Sequence, residues 1–418
     1  MTPEAEARSA AEAVARASYG KLVAFLCART RDVAAAEDAL GEAFAQALAH
    51  WPRDGVPERP EAWLMTAARR RLIDAARRRS RAAEAEPALR LMADELAEFA
   101  EEGRVVPDER LSLMFACAHP AIDPAVRAPL ILQAVLGLDA IAIAGAFLVA
   151  PATMGQRLVR AKAKIKEAGI AFRSPERAEL PERLEAVLDA VYAAFASGWN
   201  EPTLGEPARD NLTAEAIFLG RLVCRLLPAE PEALGLLALM LHVEARRAAR
   251  RSTQGAYVPL SEQDPAAWDG ALIQEAEAAL RRASLLGVIG RYQLEAAVQS
   301  AHAARRLTGR VHWAAIVQLY DGLAAISASP VVRINRAVAL AEVEGAEAGL
   351  ASLDALTADP RLSAYQPWWA ALAGLLVKAG RLAEAVPAFE RAIGLESDPA
   401  VRRFLQDRQA AASKAGDA

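Results

Sequence analysis

Cysteine, aromatic residues and long apolar runs are all scarce in this 418-residue chain, and each scarcity removes a class of protein. Three cysteines, Cys27, Cys117 and Cys224, are scattered with no spacing that suggests a zinc site or a disulfide framework. Five histidines, His50, His119, His242, His302 and His312, show no metal-ligand spacing with Cys, Asp or Glu, so no metal and no other cofactor is expected. A GxxxxGK(S/T) phosphate loop and a GxSxG elbow are both missing. No stretch approaches the roughly 18 uninterrupted apolar residues of a membrane helix. The opening Met1 to Ala17 is acidic and alanine-rich, unlike a secretory signal. The expectation is a soluble, cytoplasmic protein.

What is abundant is helix-forming material. Ala, Leu, Arg and Glu dominate a composition that is 54% hydrophobic and 6% aromatic. An all-α fold follows, and the length suggests two to four units. The net charge of −4, taken whole, argues against a nucleic-acid binder. Yet the charge is segregated. Residues 66–81 carry seven arginines against the single Asp74. Residues 84–110 carry nine acids against three arginines. Residues 152–166 hold Arg157, Arg160, Lys162, Lys164 and Lys166 with no acid. Local charge decides phosphate contact, so the two basic segments are candidates and the acidic one reads as a connector.

Residues 8–50 read as two helices, with Asp32 as the N-cap of the second. Trp51 to Pro60 has three prolines and a glycine and reads as a break. A helix resumes at Glu61, its apolar stripe marked by Leu64, Ala68, Leu72 and Ala75. A partly helical stretch, Leu89 to Phe99, is expected inside the acidic connector. Further helices are expected over Glu109–Ala116, Pro124–Leu136, Ala140–Phe147 and Pro151–Ala168, with Pro151 suited to a first turn and Gly169 to a stop.

Ala140 to Lys166 has the layout of a helix-turn-helix: a short helix, a tight Leu148-Val149-Ala150 turn, then a basic helix, with the small Ala144 suited to a close crossing. Thr153, Gln156, Arg157 and Arg160 fall on the half that meets base edges, while Lys162, Lys164 and Lys166 fall where only phosphates are in reach. The other reading is a solvated basic helix in an ordinary bundle. The arginine helix 61–81 likewise reads as a solvated surface or as a nucleic-acid face, with Trp51 and Trp63 nearby to stack on unpaired bases.

Three ordered blocks in the first ~172 residues together resemble an extracytoplasmic-function sigma factor of the sigma-70-like family. Asp32 through Glu37-Asp38, Leu40, Gly41, Glu42 and Phe44 resembles the region 2 helix that docks on the polymerase clamp, with Gly41 where Gln is usual. Glu61-Ala62-Trp63-Leu64 through Arg69, Arg70, Asp74 and Arg77-Arg78-Arg79 resembles the helix that engages the −10 element, with Arg70 where Asn is usual. Thr153 to Ala161 resembles the region 4 recognition helix for the −35 element, with Gly155 where Lys is often found. The resemblance implies Glu37, Asp38, Glu42 and Phe44 against core RNA polymerase. It implies Trp63, Arg69, Arg70, Arg77, Arg78 and Arg79 at the −10 region, and Thr153, Gln156, Arg157, Arg160, Lys162 and Lys164 at the −35 element. It implies no enzyme, because catalysis belongs to the polymerase. The acidic connector then reads as a nucleic-acid mimic in the polymerase channel or as a solvated spacer.

The implied domains are 1–82 (region 2), 83–107 (acidic linker), 108–173 (region 4) and 174–418. The last shows tetratricopeptide-like spacing: Trp369, Leu372, Ala373, Leu376, Ala385, Phe389 and Ala392 sit at packing positions, with a looser copy from Ser329 to Ala355 and a weaker one around Ala303 to Tyr320. Trp369 is expected in the core and Trp368 on the surface. The arrangement, with Arg110 to Pro120, most resembles the subgroup of these factors that carries such an extension. This implies a regulatory C-terminal domain with a protein or peptide partner. His242, Glu244 and the run Arg246, Arg247, Arg250, Arg251 read as a solvated helix face or as a site for an anion or an acidic partner. A helix-turn-helix regulator with a repeat-type sensing domain, acting without polymerase, is the competing function, and a repeat scaffold with an inactive N-terminal module is a third.

Overall fold

The computed structural model describes residues 2–79, 109–147, 149–173, 175–176, 178–200 and 207–416. The acidic linker and the helix expected over Leu89 to Phe99 lie outside the described residues. Among the described residues the regular structure is helical, with an isolated antiparallel bridge between Arg251 and Tyr257. The all-α expectation holds. The chain divides into two units, Met1–Trp199 with Gly205–Leu219, and Asn200–Leu204 with Gly220–Ala418. No helix among the described residues is long and apolar enough to cross a membrane.

The first unit opens with α1 (Pro3–Thr30), α2 (Val33–Asp54) and α3 (Pro60–Arg79). Arg31, at φ 53, turns the chain after α1, its N–H returning to the Cys27 carbonyl. Asp32 then caps α2, its Oδ1 accepting from the Ala35 N–H at 3.0 Å, as the sequence predicts. The expected break at Trp51 is wrong by about a turn: α2 runs through Pro52 to Asp54. The N–H that Pro52 lacks would have bonded the Leu48 carbonyl; Leu48 is exposed, so solvent is at hand for that group, and the loss is small in a last turn. Gly55 closes the helix, bonding back to Trp51.

The unit continues with α4 (Arg110–Cys117), α5 (Pro124–Leu136), α6 (Ala140–Ala146) and α7 (Pro151–Glu167). α4 is interior, with Leu113 through Cys117 buried. α1 packs on α4 and α5 as well as on α2 and α3. The approach is closest at Gly20, where an added Cβ would meet the Val135 carbonyl oxygen at 1.8 Å. Helices α1–α3 and α4–α7 thus pack as one body rather than as beads on a linker. The unit extends beyond residue 173, through α8 (Leu180–Asn200) into α9 (Pro207–Leu226). Arg110, buried, is ion-paired with Glu215 and stacks over Phe218 at 4.6 Å.

The second unit is built around α10 (Pro231–Glu244), buried on all sides from Ala233 to His242. It is flanked by α11 (Gly270–Leu285) and α12 (Arg291–Ala303). Glu232 accepts from the Tyr292 and Gln293 N–H groups at 2.9 and 3.1 Å, placing a carboxylate at the positive end of α12. After the single turn α13 (Arg305–Thr308) come α14 (Trp313–Ile326), α15 (Pro330–Glu344), α16 (Ala346–Asp354), α17 (Gln366–Lys378), α18 (Leu382–Leu395) and α19 (Pro399–Gly416). Consecutive helices pack as antiparallel neighbours do when joined by short turns. Of the two tryptophans, Trp368 departs from its expected surface place, and Trp369 packs against the edge of the same core. Trp368 is core, while Trp369 is half-buried, donating Nε1–H to the Ser363 carbonyl at 3.1 Å and facing Arg391. α19 returns to the 251–262 loop: Arg251 is ion-paired with Asp398, Arg408 Nη2 lies 2.7 Å from Glu262 Oε1, and the Tyr257 and Phe404 rings meet edge to face at 5.4 Å.

Candidate nucleic-acid interface

Two helices, the short α6 and the basic α7, follow one another where the sequence leads one to expect a helix-turn-helix, and they pack together. Asp139 Oδ1 accepts from Ile141 and Ala142 N–H at 3.0 and 2.7 Å and fixes the start of α6. Ala144 is buried, as the close crossing requires, and the Val149 N–H bonds back to its carbonyl at 3.0 Å. Pro151 then starts α7 at a first-turn position.

α7 has three faces. Met154, Leu158, Ala161 and Ile165 are buried and hold the helix in the unit. Thr153, Gln156, Arg157, Arg160 and Lys164 are exposed and share one side, as the i, i+4, i+7, i+11 spacing of Thr153, Arg157, Arg160 and Lys164 requires. The third face, with Val159, Lys162, Ala163 and Lys166, looks into a groove of about 750 Å³ whose other side includes Asp32, Glu37 and Asp38 of α2.

Lys162 therefore parts from the other candidate residues of its helix. It is ion-paired with Glu37, both side chains largely buried, and Lys166 Nζ lies 2.8 Å from Asp32 Oδ2. Burial pushes the Glu37 carboxyl above its usual range, with Lys162 pulling the other way. Its second oxygen, Oε1, is buried without a hydrogen bond among the described residues. Glu42 is ion-paired with Arg71 of α3, both half-exposed. Asp38 is exposed and Phe44 half-buried. These pairs join segments 29 to 134 residues apart in sequence, and no local spacing signals them.

On α3, Arg70 is exposed and Arg69 half-buried. The backbone of Arg77, Arg78 and Arg79 is helical, but their side chains lie outside the described residues. Trp63 is half-buried and meets Trp51 edge to face at 5.6 Å. Trp51 itself is buried, so it supports Trp63 and is not a stacking platform for bases.

Comparison with known proteins adds the following. Residues 14–82, which span most of α1 and all of α2 and α3, match Sigma-70 region 2. Residues 183–284 match a family of unknown function, DUF6596, a different domain from the tetratricopeptide-like repeat expected there. A Rhizobium meliloti (strain 1021) protein described as uncharacterized is 40% identical over 380 residues, covering 90% of this chain and 89% of that one. No solved structure matches. The chain belongs to the same family as the Rhizobium meliloti protein, and its N-terminal region 2 is that of a sigma-70-like sigma factor.

Proposed function

We propose that the chain is a sigma factor of the extracytoplasmic-function type, which brings core RNA polymerase to specific promoters and starts transcription. In this reading Glu37, Asp38, Glu42 and Phe44 meet the polymerase. Trp63, Arg69, Arg70, Arg77, Arg78 and Arg79 engage the −10 region. Thr153, Gln156, Arg157, Arg160 and Lys164 read or hold the −35 element, and Lys162 joins them once released from Glu37. The helical residues that follow the DUF6596 match, 285–418, form a tetratricopeptide-like regulatory part that binds a protein or peptide.

One observation supports the reading: a region 2 match is followed in the same chain by a basic helix with an exposed Thr153–Arg157–Arg160–Lys164 stripe, in the order sigma factors use. A plain helix-turn-helix regulator has no need of region 2. The test is co-purification with core RNA polymerase followed by run-off transcription on genomic fragments. A stable complex that starts transcripts at defined sites is expected. DNA binding with no polymerase association sinks the proposal in favour of a regulator that acts alone.

A further inference from the structure

One end of the second unit leaves a set of large aliphatic side chains in solvent. Three local contacts define that end. Arg282 Nη2 donates to the Pro228 carbonyl at 3.3 Å, tying the last turn of α11 to the loop between α9 and α10. The Glu232 carboxylate, through the Tyr292 and Gln293 N–H groups, holds the first turn of α12 against the first turn of α10. A Cβ at Gly322 would meet Leu294 at 3.4 Å, so the last turn of α14 lies beside the first turns of α12. The end of α9, the turn from α11 to α12 and the end of α14 are thus neighbours. Leu226, Leu285, Leu286, Val288, Ile289 and Ile326 stand in those three places, and all are exposed.

Four of them crowd one short turn. Gly287, at φ 72, swings the chain out of α11. An apolar residue just after such a glycine commonly packs back on the helix it leaves. Here Val288 is 61% exposed, Ile289 73% and Leu285 82%, so the turn holds its aliphatic groups outward. Single exposed apolar residues need no explanation, but a cluster of this kind marks a contact surface. The exposed charge beside it is positive. Arg281 and Arg282 lie one turn before Leu285 and Leu286, and Arg225 precedes Leu226; all three are exposed and form no ion pair among the described residues. The nearby carboxylates are occupied. Glu232 caps α12, Glu230 accepts from the Glu232 N–H at 3.4 Å, and Glu295 lies 2.8 Å from Arg291. Glu277, one turn before Arg281, accepts from Ser300 Oγ at 2.5 Å.

We propose that this surface binds an acidic amphipathic helix of a partner protein, its apolar stripe on the aliphatic cluster and its carboxylates on the three arginines. The proposal deepens, and rests on, the reading of this part of the chain as one that binds a protein or peptide. Charge selects the occupant. A second copy across a two-fold axis would set the arginines against like charges. A lipid surface suits exposed aromatic anchors, and Tyr292, the ring closest in sequence, is buried. An extended peptide needs a sheet edge, and the regular structure among the described residues is helical. A helix with an aliphatic stripe flanked by carboxylates satisfies both the apolar cluster and its basic border.

The test is fluorescence anisotropy of a synthetic helix of about 14 residues, with Leu at i, i+3, i+7 and i+10 and Glu on its other faces, titrated with the full chain. It is expected to bind at least about tenfold tighter than its counterpart with Lys in place of Glu. Ile289→Ser and Arg281→Glu should each weaken binding about tenfold or more. Leu307→Ser, at an exposed site in α13 beyond the other end of α12, should leave it unchanged. No binding, equal binding of the Glu and Lys helices, or unaltered binding by either Ile289→Ser or Arg281→Glu overturns the proposal. Self-association of the free chain that Ile289→Ser abolishes also overturns it and assigns a second copy. Capture by vesicles of phosphatidylglycerol and phosphatidylcholine that Ile289→Ser abolishes overturns it and assigns lipid. Both substituted side chains are in solvent, so the fold tolerates their change. Neither polymerase nor DNA enters these measurements, so their failure is distinct from a failure of run-off transcription.

Discussion

Glu37 and Lys162 are ion-paired across 125 residues of sequence, joining α2, the helix that resembles the polymerase-docking element, to the basic helix α7. The two partners are not equivalent. Glu37 is the strained member, raised by burial and with one oxygen unbonded among the described residues. Removing Lys162 leaves a buried carboxylate with its charge uncompensated; removing the charge of Glu37 relieves a desolvated group. Lys162→Ala is expected to cost about 2 kcal/mol at neutral pH and Glu37→Gln less than about 1 kcal/mol, as urea unfolding would show. Equal losses would refute the asymmetry.

The same pair sets a pH dependence. A carboxyl whose folded pKa lies above its unfolded value takes up its proton first in the folded state, so acidification through that window favours folding and higher pH opposes it. The window lies above the ordinary glutamate value of about 4.3. The deficit of Lys162→Ala should therefore shrink as pH falls from 7 toward that value. A deficit constant with pH would separate Glu37 from the effect.

The close approach of α1 to α5 makes Gly20 a steric gauge. A methyl group there would overlap the Val135 carbonyl, and backbone cannot move aside as a flexible side chain can. Gly20→Ala is expected to cost about 3 kcal/mol or more, while Gly155→Ala, whose Cβ meets nothing within 4 Å, should be neutral or better. Thermal unfolding of the two variants checks both.

The exposed stripe of α7 predicts changes in promoter use without loss of fold. Arg157→Ala and Arg160→Ala should each reduce run-off transcription about tenfold or more and relax sequence preference, at an unchanged unfolding midpoint. Lys164→Ala should weaken DNA binding evenly across sequences and lower the salt slope by about one.

Asp38 offers a separate test of the docking face, because it is exposed and its removal leaves the interior intact. Asp38→Ala should reduce recovery of core polymerase in pull-down while the circular dichroism spectrum and unfolding midpoint stay unchanged. Undiminished recovery would move the polymerase contact away from Asp38.

Much of this was legible in sequence because it is local. The Asp32 cap, the Pro151 start and the buried stripe of α7 all follow from rules acting within one or two turns. One proline in a final helical turn removes a bond that solvent can replace, so the run of prolines marks the end of α2 a turn too early. Trp368 and Trp369 differ by about 100° around a helix, and a wide apolar face takes both, so the repeat register alone misplaces Trp368. Nothing within α7 sets Lys162 apart from Lys164, because the partner of Lys162, Glu37, is not in its own helix. Pairings across 125 residues leave no periodic trace, and the candidate interface is accordingly narrower than the sequence implies.

The fastening of α19 onto the 251–262 loop bears on where this protein can be divided. The DUF6596 match ends at residue 284, yet Arg251 and Glu262 within it are held by Asp398 and Arg408 more than a hundred residues later. The end of the DUF6596 match is therefore not the end of the packing that its residues take part in. A chain cut at 284 would keep the matched residues and lose the clasp that holds their loop, and a protease with access to that loop would report the loss first.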